Sequence, residues 1–403
     1  MSFKTRLLIV FLLLVNGIWA QDFNPIMDDN PLKTAMPILT VAPDAGASGM
    51  GDLGVATEPS INDQAWNCAK YVFNEYPMGI SLSYIPWMRN VGATNINLLY
   101  LTGFYRYNDR LAFASSIRYF SLGNLTFMDE NAQPIRPSNP NEFAVDISLS
   151  LRLSEVFSLG AAFRYIRSDL TGGAFQSSSG MLPISPANGV AADVGFFYTH
   201  PVQRGGLISN LSAGLSITNI GTKMNYVKDE VNGKAYFLPT ILRLGGAMDM
   251  NVAYNQTLAL SLELSKFLVP TPPQYERDEH GIVYDENGKP KIVRGMDDDV
   301  SVPVGMIQSF YDSPNGFSGE LKKIMVSIGA TYSYANFLKV RTGFYYDPKN
   351  EQHRYVTAGF GIVYSNYRID LSYLIPVVSG FQSPLANTVH ITLGATIGQP
   401  GRY

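Results

Sequence analysis

Few side chains in this chain have types and spacings that could do chemistry. Four histidines, His200, His280, His353 and His390, and a single cysteine, Cys68, stand among 403 residues. Hydrolytic sites need a nucleophile beside a base, or paired acids with a base. His390 and Ser372 fall on the polar faces of neighbouring strand-like stretches and can approach each other. No Asp stands at a spacing that would orient the imidazole. Zinc-ligand spacing, an EF-hand loop and a phosphate-binding glycine loop are all missing, and Gly49 to Gly54 (GMGDLG) lacks the leading strand and following helix of a dinucleotide fingerprint. Asp297, Asp298 and Asp299 read as a solvated acidic tip rather than a cation site, and Cys68 as a packed thiol with no disulfide partner. A net charge of -3 argues against nucleic acid as partner. The chain is expected to bind rather than catalyse, without metal or cofactor.

The elements that would hold these residues are strands. From Phe143 to Leu153 every second residue is apolar, while Ala144, Asp146, Ser148, Ser150 and Arg152 alternate with them. After a turn near Ser154 and Glu155 the alternation resumes with Phe157, Leu159, Ala161, Phe163 and Tyr165. Each arm is about a dozen residues, beyond the roughly 5 to 6 of an average soluble strand and enough for the about 9 to 11 that a tilted membrane strand needs. Similar stretches recur to the end of the chain, about fourteen in all, an even number as bacterial single-chain barrels require. The fold class is therefore all-β, a transmembrane antiparallel barrel over residues 78–403. Charged residues at 16% and aromatics at 12% suit that reading. With the oily faces toward lipid, Arg118, Asp146, Arg152, Arg164, Asp193, Arg243, Glu263, Arg341, Arg368 and Asp370 face the interior, where they are expected to pair and stiffen the lumen.

Short and long connections alternate. Turns fall at Asn108-Asp109, Ser154, Ala335-Asn336 and Ser365-Asn366, whereas 122–141, 170–187, 221–237 and 269–320 are long. In outer-membrane barrels the turns are periplasmic and the long loops extracellular, so both termini are expected in the periplasm. Residues 1–20 have the basic start, apolar run and terminal Ala20 of a secretory signal peptide. Residues 21–77, punctuated by Pro and Gly, are expected to form an irregular plug-like periplasmic segment with a short helix capped by Asn62 and Asp63. The longest loop should leave its strand as an extended Leu268–Pro273 run and carry a hairpin over Ile282–Val293 with Asn287 and Gly288 at its turn. Met128, Tyr226, Phe237, Phe310, Tyr311 and Phe317 are large apolar groups in loops that should be wet, which marks them as candidate partner-binding anchors.

Several stretches carry a resemblance to a known family. They are Ala42-Pro43-Asp44-Ala45 with Gly49-Met50-Gly51, Trp66-Asn67 with Ala69-Lys70, Tyr84 to Trp87, Ile117 to Leu122, Pro140 to Phe143, Arg164 to Leu170, Ser216 to Lys223, Leu268 to Pro273, and Ser309-Phe310 through Leu321. As a set they resemble the PorV barrels of the type IX secretion system, similar in fold to FadL-type fatty acid transporters. Gly46 and Cys68 depart from the family pattern, standing where Arg and Pro are usual. The resemblance implies a non-enzymatic outer-membrane component that receives the C-terminal signal domain of cargo beside the translocon barrel SprA and passes it to the PorU sortase complex, within a setting of membrane lipid and lipopolysaccharide. The alternative it leaves open is a FadL-like transporter of hydrophobic small molecules.

Overall fold

The computed structural model describes residues 31–87, 95–128, 133–172, 184–202, 207–227, 234–279, 281–286, 288–349, 354–377 and 388–401. Residues 1–20, His280, His353 and Asn287 lie outside the described residues. Among those described, fourteen antiparallel strands close into one barrel. They are β1 (Met78–Pro86), β2 (Ile96–Asn108), β3 (Leu111–Leu122), β4 (Asn141–Arg152), β5 (Phe157–Asp169), β6 (Ala187–Pro201), β7 (Ile208–Gly221), β8 (Ile241–Ala253), β9 (Gln256–Phe267), β10 (Ile324–Tyr334), β11 (Leu338–Tyr346), β12 (Arg354–Tyr364), β13 (Tyr367–Pro376) and β14 (Val389–Ile397). Every strand pairs with its sequence neighbour, and β1 pairs with β14 from Met78↔Ile397 to Tyr84↔Ile391, so no edge is left for lipid to desolvate.

Register follows the alternation. Across β4 and β5, Ile147 faces Phe163 and Leu149 faces Ala161, with Ile147, Leu149, Leu151 and Phe163 exposed to the bilayer side and Ser148, Ser150, Ser158 and Arg164 buried within. A one-residue slip would exchange these sets and place Arg164 in lipid. Short turns join β2–β3, β4–β5, β8–β9, β10–β11 and β12–β13, with Asn255, Ala335, Asn336 and Ser365 at positive φ to close them. No described helix is long and apolar enough to cross a membrane.

Residues ahead of β1 run through the lumen rather than beside it. They comprise a 3-10 turn (Pro37–Thr40), a single helical turn α1 (Ala45–Ser48), and 3-10 turns at Asp63–Ala65 and Cys68–Phe73. The expected helix from Asn62 is thus two tighter turns, and the capping side chain is Asn67, which accepts from the Ala69 N–H, while Asn62 makes no cap bond. Ala35 donates to Phe237 O at the rim of the long connections, whereas Pro77 O accepts from Arg106 and Glu75 O from Gly401 at the rim of the short turns. The described chain therefore begins at one rim and ends at the other. An even strand count keeps Met78 and Ile397 together, but the plug adds one lumenal crossing ahead of them.

Candidate functional site

The lumen is built around that plug, and its docking rests on backbone approach. Inward positions on six strands are glycines whose missing Cβ is replaced by plug atoms: Gly160 meets Cys68 and Ala69, Gly195 meets Asn67, Gly214 and Gly245 meet Val55, Gly329 and Gly343 meet Met50. Side chains of the wall then satisfy the plug's exposed backbone groups. Glu263 accepts from the N–H groups of both Gly54 and Val55 at 2.9 Å, Thr357 from Gly51 and Thr392 from Ala45. Ser150 and Ser158 donate to Ala69 O, and Asn67 donates to Phe196 O. A plug without regular ladders needs such partners, because an unpaired buried amide costs about 1 to 3 kcal/mol.

Charge is handled the same way. Arg164 bridges Asp146 (2.6 Å) and Asp193 (2.8 Å) across β4, β5 and β6, and also contacts Asn219 Oδ1. Asp193 faces inward by the unbroken alternation of β6; the bulge opposite it lies in β7, where Asn219 at φ 63° donates its N–H to the Asp193 carboxylate. Arg243 pairs with Glu263 at 3.4 Å and lies over the Trp66 ring of the plug. Arg341 and Arg368 share Asp370. Arg118 instead donates to Ile38 O of the plug. Arg152 stands at the end of β4, donating to the carbonyls of Ser154 and Glu155 and lying over Phe73. The ten charges thus form three wall clusters, one plug clasp and one turn brace.

Inside the plug, Lys70 is fully buried against Asp63 at 2.6 Å and donates further to Gly54 O and Thr57. Burial pushes the Asp63 carboxyl above the usual carboxylate range, with Lys70 and Ser60 pulling it back. Asp52, at φ 56°, accepts from Tyr355 of the wall, and burial raises its carboxyl to about 7. The Cys68 thiol is buried and pushed up for the same reason. His390 and Ser372 are register partners, both buried on the inward face. Among the described residues no group of His, Cys, Asp and Glu is placed to hold a metal ion.

A second surface forms at the opposite end from the short turns. The longest connection, expected to hold an extended run and a hairpin, also folds into two helices, α2 (Val302–Gln308) and α3 (Gly316–Leu321). Asp312 braces them: it accepts from the N–H and hydroxyl of Thr271 and pairs with Lys323 at 2.6 Å, while Glu320 takes Lys266 and Lys323. On this brace Phe310, Tyr311 and Phe317 stand 50%, 60% and 78% exposed, with Ile307 and Leu321 beside them. Met128, on a two-stranded ribbon (Leu125–Met128 with Pro134–Ser138), is also exposed. Tyr226 and Phe237, expected to face outward, are instead packed down, Tyr226 into the core around Ile38 and Leu238 and Phe237 beneath Lys223 and Gly305. In the predicted hairpin, Tyr284 and Pro290 are bridged, while Ile292–Arg294 pairs with Gln274–Tyr275 and Arg277–Asp278 with Gly281–Ile282 as separate two-stranded ribbons. Asp298 and Asp299 of the acidic tip pair with Lys234 and Lys223.

The chain can now be set beside known proteins. A search of curated protein sequences returns no match. Among solved structures, the Ralstonia pickettii toluene transporter TbuX is 12% identical, with 90% of this chain and all of that one covered, at a TM-score of 0.47. The Pseudomonas putida toluene transporter TodX is 11% identical over 89% and 98% of the two chains at 0.49, and a Pseudomonas aeruginosa FadL homologue 10% identical over 88% and 97% at 0.45. A family model described as type IX secretion system protein PorV matches residues 24–274, spanning the plug, nine strands and the start of the longest connection. This chain belongs to the PorV family of type IX secretion system proteins.

Proposed function

We propose that this outer-membrane barrel captures the folded C-terminal signal domain of secreted cargo on the rim of its long connections, beside the translocon barrel SprA, and hands it to the PorU sortase complex. The observation that carries the reading is the contrast between the two ends of the lumen axis. Inside, the plug is bound to the wall by buried hydrogen bonds and glycine contacts that leave a folded domain no way through. Outside, a braced platform holds large apolar side chains in water. A hydrophobic small molecule fits less well, since the apolar part of the interior, lined by Ile85, Leu98, Phe120 and Ile166, is packed with the plug's own Ile38 and Leu39. The role is binding and hand-over, not catalysis.

The test is binding of an isolated cargo signal domain to the detergent-solubilised barrel. Truncating Phe310 or Phe317 to Ala is expected to weaken it by about 2 kcal/mol, roughly thirtyfold, if these side chains form the buried centre of the contact. Unchanged binding by both variants, together with an acyl chain recovered from the purified barrel, would favour small-molecule transport instead.

A further inference from the structure

Three chain segments that are remote in sequence enclose a cavity of about 230 Å³ on the rim of the long connections. Pro31 and Lys33 come from the start of the plug, Lys234 to Phe237 from the β7–β8 connection, and Val269, Pro270, Pro272, Tyr275, Arg277, Asp298 and Asp299 from the longest one. Its walls are prolines and aromatic rings that lose little freedom when covered. Its polar groups are of one kind in need of a partner. Asp298 and Asp299 already hold Lys234 and Lys223, whereas Lys33 and Arg277 are exposed and have no acidic partner among the described residues. The Lys234–Asp298 contact is 3.3 Å long with Lys234 more than half exposed, so an incoming anion exchanges for Asp298 at little cost.

We propose that this cavity receives the carboxylate end of an extended polypeptide, the free carboxyl of the cargo signal domain being the occupant, an inference that rests on the surface-capture reading above. The volume lies below the roughly 300 to 1,000 Å³ of sites for drug-sized ligands, and suits a chain end rather than a whole molecule. A single terminal carboxylate meets two uncommitted cations, and an Arg fork matches its two oxygens. The location is continuous with the apolar platform: Gln308 of α2 donates to Asp297 O, next to the cavity wall. The platform and the cavity thus share the longest connection, and the proposal places the last residues of a domain seated on Phe310 and Phe317 at Lys33 and Arg277. The cavity opens among loops above the strands, not on the lipid-facing wall, which favours a peptide over a lipid phosphate.

The experiment compares a cargo signal domain with a free carboxyl terminus and the same domain amidated there, each titrated into the full solubilised barrel, wild type and Lys33→Gln/Arg277→Gln. The free acid is expected to bind wild type about tenfold more tightly than the amide, and the double variant to lose that difference while binding the amide as wild type does. Equal binding of acid and amide to wild type overturns the cavity assignment, and a concurrent loss with Phe317→Ala shows that surface capture still stands. A short peptide carrying the last cargo residues serves as second probe. If the whole domain does not bind but the free-acid peptide does, in a Lys33- and Arg277-dependent way, the cavity assignment holds and the platform reading fails. If neither binds, both fail. Competition by lipopolysaccharide but not by peptide would reassign the cations to a lipid headgroup and overturn the proposal.

Discussion

Arg164 shows what a single buried charge does here. Among the described residues its guanidinium is the only counter-charge in contact with both Asp146 and Asp193, across three adjacent strands, so Arg164→Leu leaves two buried carboxylates facing each other. Removing one member of a buried pair costs about 3 to 5 kcal/mol, and the expected outcome is a heat-labile barrel in a gel-shift or calorimetric melt. Asp52 behaves in the opposite sense. Its carboxyl is raised to about 7 in the folded plug, while the unfolded value is about 4. Between those values the folded state holds a proton that the unfolded state has lost, so stability falls as pH rises from about 4 to 7 and is flat above. Asp52→Asn keeps a side chain that tolerates the positive φ and removes the titration. Its melting temperature is expected to fall less than that of wild type over that window and to exceed wild type at pH 8; a variant whose decline matches that of wild type would refute this assignment.

At the level of elements, the plug is held by the wall's lack of side chains as much as by bonds. A branched residue at Gly343 would occupy the place of the Met50–Gly51 backbone, and one at Gly214 that of the Val55 carbonyl. Neither backbone can yield without breaking the bonds from Gly51 to Thr357 and from Gly54 and Val55 to Glu263. Gly214→Val and Gly343→Val are therefore expected to fold as barrels with a displaced plug. Cys68 reports this cleanly, being the one cysteine of the chain. In wild type it is buried behind Gly160 and should resist maleimide, whereas both variants should label at neutral pH and pass small solutes in a liposome-swelling assay. Barrels that stay sealed and unlabelled would show that the plug has room to shift.

At the level of the whole molecule, the lumenal crossing of the plug sets the topology. With the long connections outside, a protease site at Gly288 should be cut on intact cells, and sites at Asn108 and Asn366 should be protected. Pro31 lies on the same rim as Phe237 and Tyr275. An epitope inserted at Pro31 is accordingly expected at the cell surface with Gly288, and one after Gly401 inside. Detection of the Pro31 epitope only after the outer membrane is permeabilised would reverse the path assigned to the plug. The same epitope tests the periplasmic start expected from strand parity alone.

Strand number, register and the division into turns and long loops were legible in the chain because they depend on period-two alternation and local turn residues, as at Phe143–Leu153 and Ala335-Asn336. The inward charges were legible for the same reason, since Asp146 and Arg164 sit at the polar phase of strands whose other face is oily. What alternation could not show is who meets whom. In β2 both Leu98 and Leu99 are apolar, one facing lipid and the other the plug's Ile38 and Leu39, and only the tertiary structure reveals that this inner wall is a packed core. Asp193 reaches Asn219 through a bulge that has no sequence signal. Tyr226 and Phe237 are buried, and Phe317 is not, because folding of the long connections over the rim is decided by distant partners such as Asp312 and Thr271. Periodicity is a property of each strand alone, whereas the plug's path, the platform and the cavity beside it arise from contacts between segments far apart in the chain.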